Sequence, residues 1–492
     1  MSLSNIITSL PEIDQIMDQS MQSFLAYKKV SAIERAAFLE RIAFEIEALG
    51  EELIKTTKEE TNLPEARLLG ERGRTTMQLR MFAAMLLEGS WVEASIDHAI
   101  PDKVPAKPDI RKMLVPVGPV VVFGASNFPY AYSTAGGDTA SALASGCSVV
   151  VKAHPAHIRT STLIAAAIEK AIDFCQMPKH CFQHVTGTSF EIGKALVQQS
   201  NTSAVGFTGS FTGGRALYDY ASVRNKPIPV FSEMGSTNPV LLLQDAILQN
   251  AETIATQYAG SITLGVGQFC TNPGLIIGIQ SEGLNRFKES LSNAINQVAP
   301  AKMLHVGILK AYETKLLKVL ANAGVTPLTN EIAFDADIAS PMIVHVQGID
   351  FLKDENLKEE VFGPYAIIVE CTDMDELKAV WNSVSGQLTT SIMGSDKDFE
   401  ANPELIELAT QIAGRVLLNG VPTGVEVCAS MVHGGPYPAT TDSRFTAVGL
   451  NAVKRWVRPV CYQNCPDHLL PEALKETNPF KIKRMIDGNP YQ

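Results

Sequence analysis

The chain has 492 residues, of which 46% are hydrophobic and 19% charged, and this length predicts about two to four structural units around large buried cores. The composition excludes intrinsic disorder over most of the chain, because disordered proteins combine low hydrophobicity with high net charge. With 41 basic and 52 acidic residues the net charge is −11, which argues against a dedicated nucleic-acid binder with a clustered basic face.

The N-terminal part is predicted to be helical from about residue 10 to 90. Proline and glycine are scarce there, and apolar residues recur at the spacing of one helix face: Ile33, Ala36, Leu39, Ile42, Ile46 and Leu49. From 96 to 116, four prolines interrupt alternating polar and apolar residues. This second pattern predicts an extended ribbon outside the main body.

From residue 117 the pattern changes to alternating strands and helices. Apolar strands are predicted at 119–123, 148–152, 204–207 and 238–243, with helices at about 134–145, 158–174, 190–199 and 213–222. A second series of strands follows at 274–279, 341–347, 365–371, 389–393 and 415–419. Continuous apolar strands separated by helices are typical of parallel sheets covered on both faces. We therefore predict an α/β protein with two open parallel-sheet domains and a proline-rich tail.

Features that would direct the chain to a membrane or out of the cell are missing from the sequence. No apolar run reaches the roughly 18 residues of a membrane-spanning helix, and the N-terminus lacks the basic and apolar regions of a secretory signal. The eight cysteines have no regular spacing, which fits free thiols in a reducing compartment. We expect a cytoplasmic protein that does not bind membranes.

Cys270 is the most informative of these cysteines. It lies in the segment 265–274 (GVGQFCTNPG), after a helix predicted at 247–263. A lone cysteine is ordinarily a small buried apolar residue. A glycine-rich loop, however, gives a thiol the exposure and the room for substrate that a nucleophile needs.

Three further candidates follow predicted strands. Glu233 ends a strand in VFSEMGSTNP; a carboxylate there is costly unless it is functional or, alternatively, paired as a cap or ion pair. Asn127 lies in GASNFP, where the alternative is a role in a turn. The glycine-rich segment 206–214, with Gly209 and Ser210, precedes a helix whose N-terminus could bind a pyrophosphate, although it is not the GxGxxG motif.

Taken in this order, these elements resemble the aldehyde dehydrogenase superfamily over nearly the whole chain. Further matches lie at Lys152, at 360–364 (EVFGP) and at 414–419 (GRVLLN). The segments 127–157 and 434–449 are most similar to 2-oxoglutarate semialdehyde (2,5-dioxopentanoate) dehydrogenases, and also resemble NADP-linked bacterial fatty aldehyde dehydrogenases. The resemblance implies the following division: a dinucleotide-binding domain at 1–95 and 117–235, a catalytic domain at 236–447, and oligomerisation segments at 96–116 and 448–492.

The resemblance also implies a mechanism. Cys270 as thiolate would attack the aldehyde carbon, and the amide of Asn127 with the backbone N–H of Cys270 would hold the developing oxyanion. Hydride transfer to a nicotinamide would leave a thioester on Cys270. Glu233 would then act as general base and activate the water that hydrolyses this thioester.

For the cofactor, the resemblance implies binding by Gly209, Ser210, Lys152, Glu360 and Phe362. Where the family often has a glutamate that binds the adenosine ribose, this chain has Pro155. Losing that carboxylate removes repulsion of a 2′-phosphate, and Lys152, His154 and Arg159 offer positive charge. We therefore expect a preference for NADP with NAD accepted, the alternative for Arg159 being a solvated residue at the start of a helix.

The expected substrate is a short semialdehyde with a distal carboxylate, and the warrant is mainly the resemblance. A carboxylate that enters a partly desolvated tunnel needs a cation or several donors, for which Ser443 and Arg444 are the candidates. Phe128 and Tyr130 are expected to line the site. Alternatively, Arg444 pairs with a surface carboxylate, or the substrate is a long-chain aldehyde in an apolar tunnel.

Other classes of function are weaker alternatives. A cysteine hydrolase would need a histidine base, and no histidine lies near a matching motif; a purely structural protein has no need of Cys270, Glu233 and Asn127 together. Cys461, Cys465 and His468 supply three potential zinc ligands without a fourth, and the other histidines show no ligand spacing, so we predict no metal site. The ribbon and the tail lack obvious apolar partners within their own segments, and the family resemblance implies a homodimer or homotetramer.

Overall fold

The computed structural model describes residues 8–330 and 338–491, so the parts of the predicted segments at 1–7, 331–337 and 492 lie outside the described residues. Four helices come first: α1 (Leu10–Tyr27), α2 (Ala32–Ala48), α3 (Gly50–Thr61) and α4 (Glu65–Glu88). Helix α2 begins at a capping box in which the side chains of Ser31 and Glu34 each accept the other's backbone N–H. These bonds satisfy two N–H groups that have no partner within the helix. Its apolar face is buried from Ala36 onward, whereas Ile33 in the first turn is exposed.

A five-stranded parallel sheet follows, in the spatial order β5-β4-β3-β6-β7. Its strands are β3 (Val120–Phe123), β4 (Val149–Lys152), β5 (Phe182–Val185), β6 (Ala204–Thr208) and β7 (Val230–Glu233). The helices between them are α5 (Gly137–Ser145), α6 (Ile158–Phe174), α7 (Phe190–Gln198) and α8 (Phe211–Ser222). Helices α2, α4 and α6 share a core with one face of this sheet, whereas α1 packs with Val121 and Val150 on the other face.

The second sheet has seven strands in the order β11-β13-β14-β9-β8-β15-β16, all parallel except β11. Its strands are β8 (Val240–Leu242), β9 (Leu275–Ile279), β11 (Thr326–Pro327), β13 (Met342–Gln347), β14 (Tyr365–Cys371), β15 (Gln387–Met393) and β16 (Ala413–Leu418). Its helices are α9 (Gln244–Thr263), α10 (Glu282–Asn296), α11 (Val306–Leu320), α12 (Gly348–Lys353), α13 (Met374–Ser383), α14 (Asp396–Ala401) and α15 (Glu404–Ile412). The short strands β10 (Ala301–Lys302) and β12 (Ile338–Ala339) pair separately.

The ribbon and the tail form a third sheet, in the order β17-β2-β1-β18-β19. The ribbon supplies β1 (Ser95–Asp97) and β2 (Ile110–Pro116), and the tail supplies β17 (Val457–Gln463), β18 (Arg484–Ile486) and β19 (Asn489–Tyr491). They bury a small shared core that includes Ile96, Leu474 and Ile482. These segments, expected to lack obvious apolar partners within their own segments, supply apolar partners to each other.

Two details of the architecture bear on the predicted segments. Residues 450–456 form a 3₁₀ helix whose Val453 and Trp456 pack in the core of the first sheet, so the tail leaves the main body only at β17. Within the described residues, no helix combines the length and the apolar character that a membrane crossing requires.

Candidate active site

The three catalytic candidates lie at a strand end or in the loops next to strands, where open parallel sheets bind ligands. Glu233 is the last residue of β7, and Asn127 lies in the loop between β3 and α5. Cys270 lies between α9 and β9. These loops meet between the two parallel sheets, so residues from distant parts of the chain share one site.

The loop that carries Cys270 is held by its own backbone and by a buried amide. Val266 and Gly267 both have left-handed backbone, with φ of 57° and 64°, and a Cβ on Gly267 would lie 2.2 Å from the carbonyl of Gly363. The side chain of Asn238 donates to the carbonyl oxygens of Cys270, at 2.9 Å, and Asn272, at 2.8 Å. The thiol is thus fixed by packing that tolerates no side chain at position 267.

His433 links the thiol to the carboxylate. Its Nε2 lies 3.4 Å from Sγ of Cys270 and 2.9 Å from Oε1 of Glu233. The imidazole is fully buried, and Oε2 of Glu233 and Nδ1 of His433 are buried without a hydrogen bond. Since one nitrogen contacts both partners, the imidazole can take the thiol proton, and the carboxylate can stabilise the imidazolium that forms.

The electrostatics of the thiol explain why such a partner is needed. Burial raises the pKa of Cys270 well above its usual value, the negative charge of Glu233 raises it further, and the guanidinium of Arg74 opposes the rise. A thiol in this setting is protonated near neutral pH, so it needs a neighbouring base to become a nucleophile.

Helix α4 supports the loop that carries Asn127. The Asn127 side-chain amide donates to the carbonyl oxygen of Gln268, two residues before Cys270, at 3.1 Å, and Nη2 of Arg67 donates to the backbone carbonyl of Asn127 at 3.0 Å. One carboxylate oxygen of Glu71 accepts the backbone N–H groups of Tyr130, at 2.8 Å, and Ala131, at 3.0 Å. The amide expected to bind an oxyanion is thereby held close to the thiol.

The cofactor candidates Gly209, Ser210 and Lys152 lie at the ends of β6 and β4. Ser210 caps α8 by accepting the backbone N–H of Gly213 at 3.2 Å, so Gly209 and Ser210 stand at a helix N-terminus, where anions bind well. Burial lowers the pKa of Lys152 to about 8. Among residues 8–330 and 338–491, its ammonium has no hydrogen bond or ion pair.

Two residues expected to add positive charge beside Lys152 do not supply it. The guanidinium of Arg159 pairs with Glu59 at 3.1 Å and with Glu60 at 3.5 Å, so two carboxylates neutralise it, and the alternative of a solvated residue at a helix start describes it better. Burial lowers the pKa of His154 to about 2, and the ring stays neutral. Pro155 starts the short 3₁₀ turn between β4 and α6.

Glu360 and Phe362 line a cleft together with Thr237 and Asn272. Burial raises the pKa of Glu360 to about 7, and its negative charge also raises the pKa of Cys270. The expected position of both residues on the nicotinamide side of Cys270 is consistent with this cleft.

The substrate candidates divide into one residue near the thiol and three away from it. Phe128 packs edge-on against Phe269, the residue before Cys270. Tyr130, in contrast, is fully buried in the core of the first sheet and donates to Oγ1 of Thr57 at 2.6 Å. The next aromatic residue in this turn, Tyr132, lies near the site instead, with its ring 6.1 Å from the His433 ring.

Arg444 and Ser443, the candidates for binding a substrate carboxylate, lie at the surface, and Arg444 has the surface carboxylate that was given as its alternative partner. Arg444 is 79% exposed and donates from Nη2 to Asp442 at 2.6 Å, and Ser443 is exposed. Nearby, Thr440 and Thr441 bond to backbone groups of Gly435 and β7. This segment therefore braces the strand that ends in Glu233, while its arginine faces solvent.

His433 is the main residue that sequence reasoning missed, and the statement that the remaining histidines form no ligand cluster is wrong for it. Its Nε2 lies within 4.8 Å of the ligand atoms of Cys270 and Glu233, but it is 163 residues from Cys270 in the chain. No local spacing could connect them. A visible pattern did exist on α4, where Arg67 and Arg74, seven residues apart, share one helix face.

Comparison with known proteins identifies the family. The model of the aldehyde dehydrogenase family matches residues 8–308. Alpha-ketoglutaric semialdehyde dehydrogenase 2 of Azospirillum brasilense is 46% identical over 98% of this chain and 92% of its own length. The alpha-ketoglutaric semialdehyde dehydrogenase of Acinetobacter baylyi is 44% identical over 98% of this chain and 91% of its own length.

Among solved structures, the crystal structure of betaine aldehyde dehydrogenase from Staphylococcus aureus superimposes with a TM-score of 0.78. It is 18% identical, and the match covers 95% of this chain and 90% of that protein. The resemblance and the α/β fold predicted from the sequence are thus both confirmed.

Proposed function

The chain belongs to the aldehyde dehydrogenase family, and on this premise we propose that it oxidises 2-oxoglutarate semialdehyde (2,5-dioxopentanoate) to 2-oxoglutarate with NADP+ or NAD+. The observation that carries the chemistry is the buried contact of Cys270, His433 and Glu233 beside Asn127. The substrate is taken from the names of the two relatives that are 46% and 44% identical.

The first step is activation and attack by Cys270. Its thiol proton passes to Nε2 of His433, at 3.4 Å, and Glu233 stabilises the imidazolium from 2.9 Å. The thiolate forms a C–S bond with the aldehyde carbon and gives a tetrahedral thiohemiacetal. The Asn127 amide and the backbone N–H of Cys270 receive the negative oxygen, which is the largest single stabilisation in comparable sites.

The described residues fit a nicotinamide dinucleotide. The N-terminus of α8 at Ser210 offers free N–H groups, Lys152 has a half-buried ammonium without a counter-ion, and Glu360 borders the cleft beside Cys270. When bound, the nicotinamide accepts the hydride from the thiohemiacetal carbon. Pro155 brings no carboxylate to the ribose, and among the described residues Lys152 remains as a cation without an ion pair there, so we propose that both cofactors are accepted with a modest preference for NADP.

The remaining step is hydrolysis of the thioester on Cys270. Glu233, through His433 or directly, takes a proton from a water molecule, which attacks the acyl carbon and releases the carboxylic acid and the thiolate. The carboxylate is suited to this step because its Oε2 is buried and makes no hydrogen bond. One aldehyde, one oxidised cofactor and one water give one carboxylic acid, one reduced cofactor and one proton, which leaves the His433–Glu233 pair before the next turnover.

Two alternatives remain open to test. A long-chain fatty aldehyde would be the substrate if the tunnel to Cys270 were apolar throughout. A cysteine hydrolase gains one argument from the structure, since His433 supplies the base that the sequence seemed to lack; family membership favours the dehydrogenase. We also propose a homodimer or homotetramer that works in the cytoplasm, where the eight free cysteines stay reduced.

The deciding experiment measures absorbance at 340 nm with a panel of aldehydes and each cofactor. We expect reduced cofactor to form only when an aldehyde and NADP+ or NAD+ are both present, with the highest kcat/KM for 2-oxoglutarate semialdehyde. A kcat/KM that rises steadily from butanal to decanal and exceeds that of the semialdehyde would establish the fatty aldehyde instead, because each methylene buried in an apolar tunnel contributes about 0.8 kcal/mol.

A further inference from the structure

Three arginines surround the catalytic thiol. Arg67 and Arg74 lie on α4, and Arg415 lies on β16 at the edge of the second sheet. Each of the three interacts electrostatically with Cys270. None of the three is among the residues that the sequence predicts to act in the site.

Arg67 already has structural partners. Its guanidinium lies 4.5 Å from the ring centre of Phe128 and 4.6 Å from that of Phe269, and it donates to the carbonyl of Asn127 at 3.0 Å. Glu71 lies 3.9 Å away. Arg67 therefore positions the loop of the oxyanion amide and has a carboxylate of its own.

Arg74 and Arg415 differ from Arg67 in lacking a carboxylate. Within the part of the chain that the structure describes, neither forms an ion pair, and the Nε atom of each is buried without a hydrogen bond. Arg74 donates to the hydroxyl of Tyr132 at 3.3 Å, and Arg415 donates to the carbonyls of Pro422 and Gly424. A partly buried guanidinium that forms no ion pair is costly unless an anion joins it.

Two contacts join the two arginines to the catalytic residues. Arg74 donates to the hydroxyl of Tyr132, and Arg415 follows Gly414, which packs against the backbone of Gly434, the residue after His433. The Tyr132 ring lies 6.1 Å from the ring of His433 and 5.2 Å from that of Phe128. The two guanidinium groups therefore lie on the Tyr132 side of Cys270, whereas Glu360 and Phe362 border the cleft assigned to the nicotinamide.

We propose that Arg74 and Arg415 bind the carboxylate and 2-oxo group at the far end of the substrate. This inference rests on the proposed function, because it assigns the specificity of the same site. A planar guanidinium matches two adjacent oxygen atoms with parallel hydrogen bonds, and a 2-oxo acid offers such pairs. A fatty aldehyde would have to press methylenes against both cations, which the same arrangement disfavours.

The test compares two aldehydes of five carbons, 2-oxoglutarate semialdehyde and pentanal, and reports the ratio of their kcat/KM values. In Arg74→Gln and in Arg415→Gln we expect this ratio to fall by about 10- to 100-fold, mainly through KM for the semialdehyde, as loss of a charged hydrogen bond predicts. Arg444→Gln is the matched control, because Arg444 is exposed and paired with Asp442. It should leave both values of kcat/KM within twofold of the wild type.

The outcomes separate this inference from the function on which it rests. If the wild type prefers pentanal, the semialdehyde function fails. If the wild type prefers the semialdehyde and the ratio is unchanged in both arginine variants, only the assignment of Arg74 and Arg415 is overturned. Arg415 also holds the loop at 422–424, so Arg415→Gln could fail to fold, and Arg415→Lys then takes its place. Arg74→Gln tests the proposed carboxylate site independently of that loop.

Discussion

The surroundings of Cys270 and the surface around Arg159, beside Lys152, differ in whether their polar groups have hydrogen-bond or ion-pair partners. Around Cys270, Glu233, His433 and Arg74 each keep a buried polar atom that makes no hydrogen bond. Beside Lys152, Arg159 is paired with Glu59 and Glu60 on an exposed surface.

This difference in partners indicates which polar groups are free to act on a substrate. A buried polar atom without a partner raises the free energy of the folded state, so it persists where a reacting group or ligand completes it. An exposed ion pair is already satisfied and contributes about 0–1 kcal/mol. Substitutions on the Cys270 side should therefore change catalysis strongly, and those on the Arg159 surface should change it little.

Replacing the thiol should give the largest effect. In Cys270→Ser we expect kcat to fall by about 10⁴-fold or more, because a serine hydroxyl is a far weaker nucleophile in the same setting. Titration of NADPH fluorescence should show unchanged cofactor binding. Cys428→Ser, at an exposed free cysteine, is the control, and more than a few per cent of wild-type turnover in Cys270→Ser would refute the assignment.

Removing the imidazole between thiol and carboxylate should give the next largest effect. In His433→Gln we expect kcat at neutral pH to fall by about 10²- to 10⁴-fold, the usual contribution of a general base. The variant must ionise a thiol whose pKa is raised by burial and by Glu233, so its activity should recover as the pH increases.

Alkylation by iodoacetamide over the same pH range provides a readout independent of turnover. The reaction of Cys270 should move to higher pH in His433→Gln. An unchanged alkylation profile would show that His433 only packs against the thiol. The unpartnered polar atoms around Cys270 would then not mark its surroundings as the catalytic region.

Replacing Glu71 tests whether the loop that carries Asn127 must be held by α4 for catalysis. We expect a smaller loss of kcat than in the two preceding variants. Glu71→Met keeps the volume but leaves the N–H groups of Tyr130 and Ala131 unpaired, which costs about 2–6 kcal/mol at 1–3 kcal/mol for each buried group. The thermal unfolding midpoint should fall, and kcat should fall about tenfold as Asn127 loses its position. Glu71→Gln retains an acceptor and should restore most of both.

The fold could be predicted closely because its determinants are local. Continuous apolar runs gave β3, β4, β9 and β14 to within one residue at each end, since buried parallel strands need such runs on both faces. The pairing of ribbon with tail was missed because it joins residues more than 340 positions apart, such as Asp109 and Asn464, and no local period reports it.

The site was only partly predictable, for two physical reasons. Cys270, Glu233 and Asn127 stand beside glycine, proline or strand ends that mark them, whereas His433 and Arg415 reach the site only through the tertiary fold. Arg444 follows the segment that resembles semialdehyde dehydrogenases, but closeness in sequence to that segment does not place its side chain near the substrate. Its own neighbour Asp442 satisfies it, a pairing that two residues of separation already permitted.

The surface beside Lys152 supplies the smallest expected effect. Arg159→Gln should change the KM for NADP+ by less than about threefold, because its charge is already neutralised by Glu59 and Glu60 and solvent screens what remains. Lys152→Met should raise the KM for NADP+ by about tenfold or more, since its ammonium has no counter-ion among the described residues and a ribose phosphate can supply one. Initial rates with NADP+ and NAD+ at fixed aldehyde measure both. If Arg159→Gln raised the KM for NADP+ tenfold and left that for NAD+ unchanged, the guanidinium would have to leave its carboxylates to bind the 2′-phosphate, and an exposed ion pair here would be as functional as the buried groups beside Cys270.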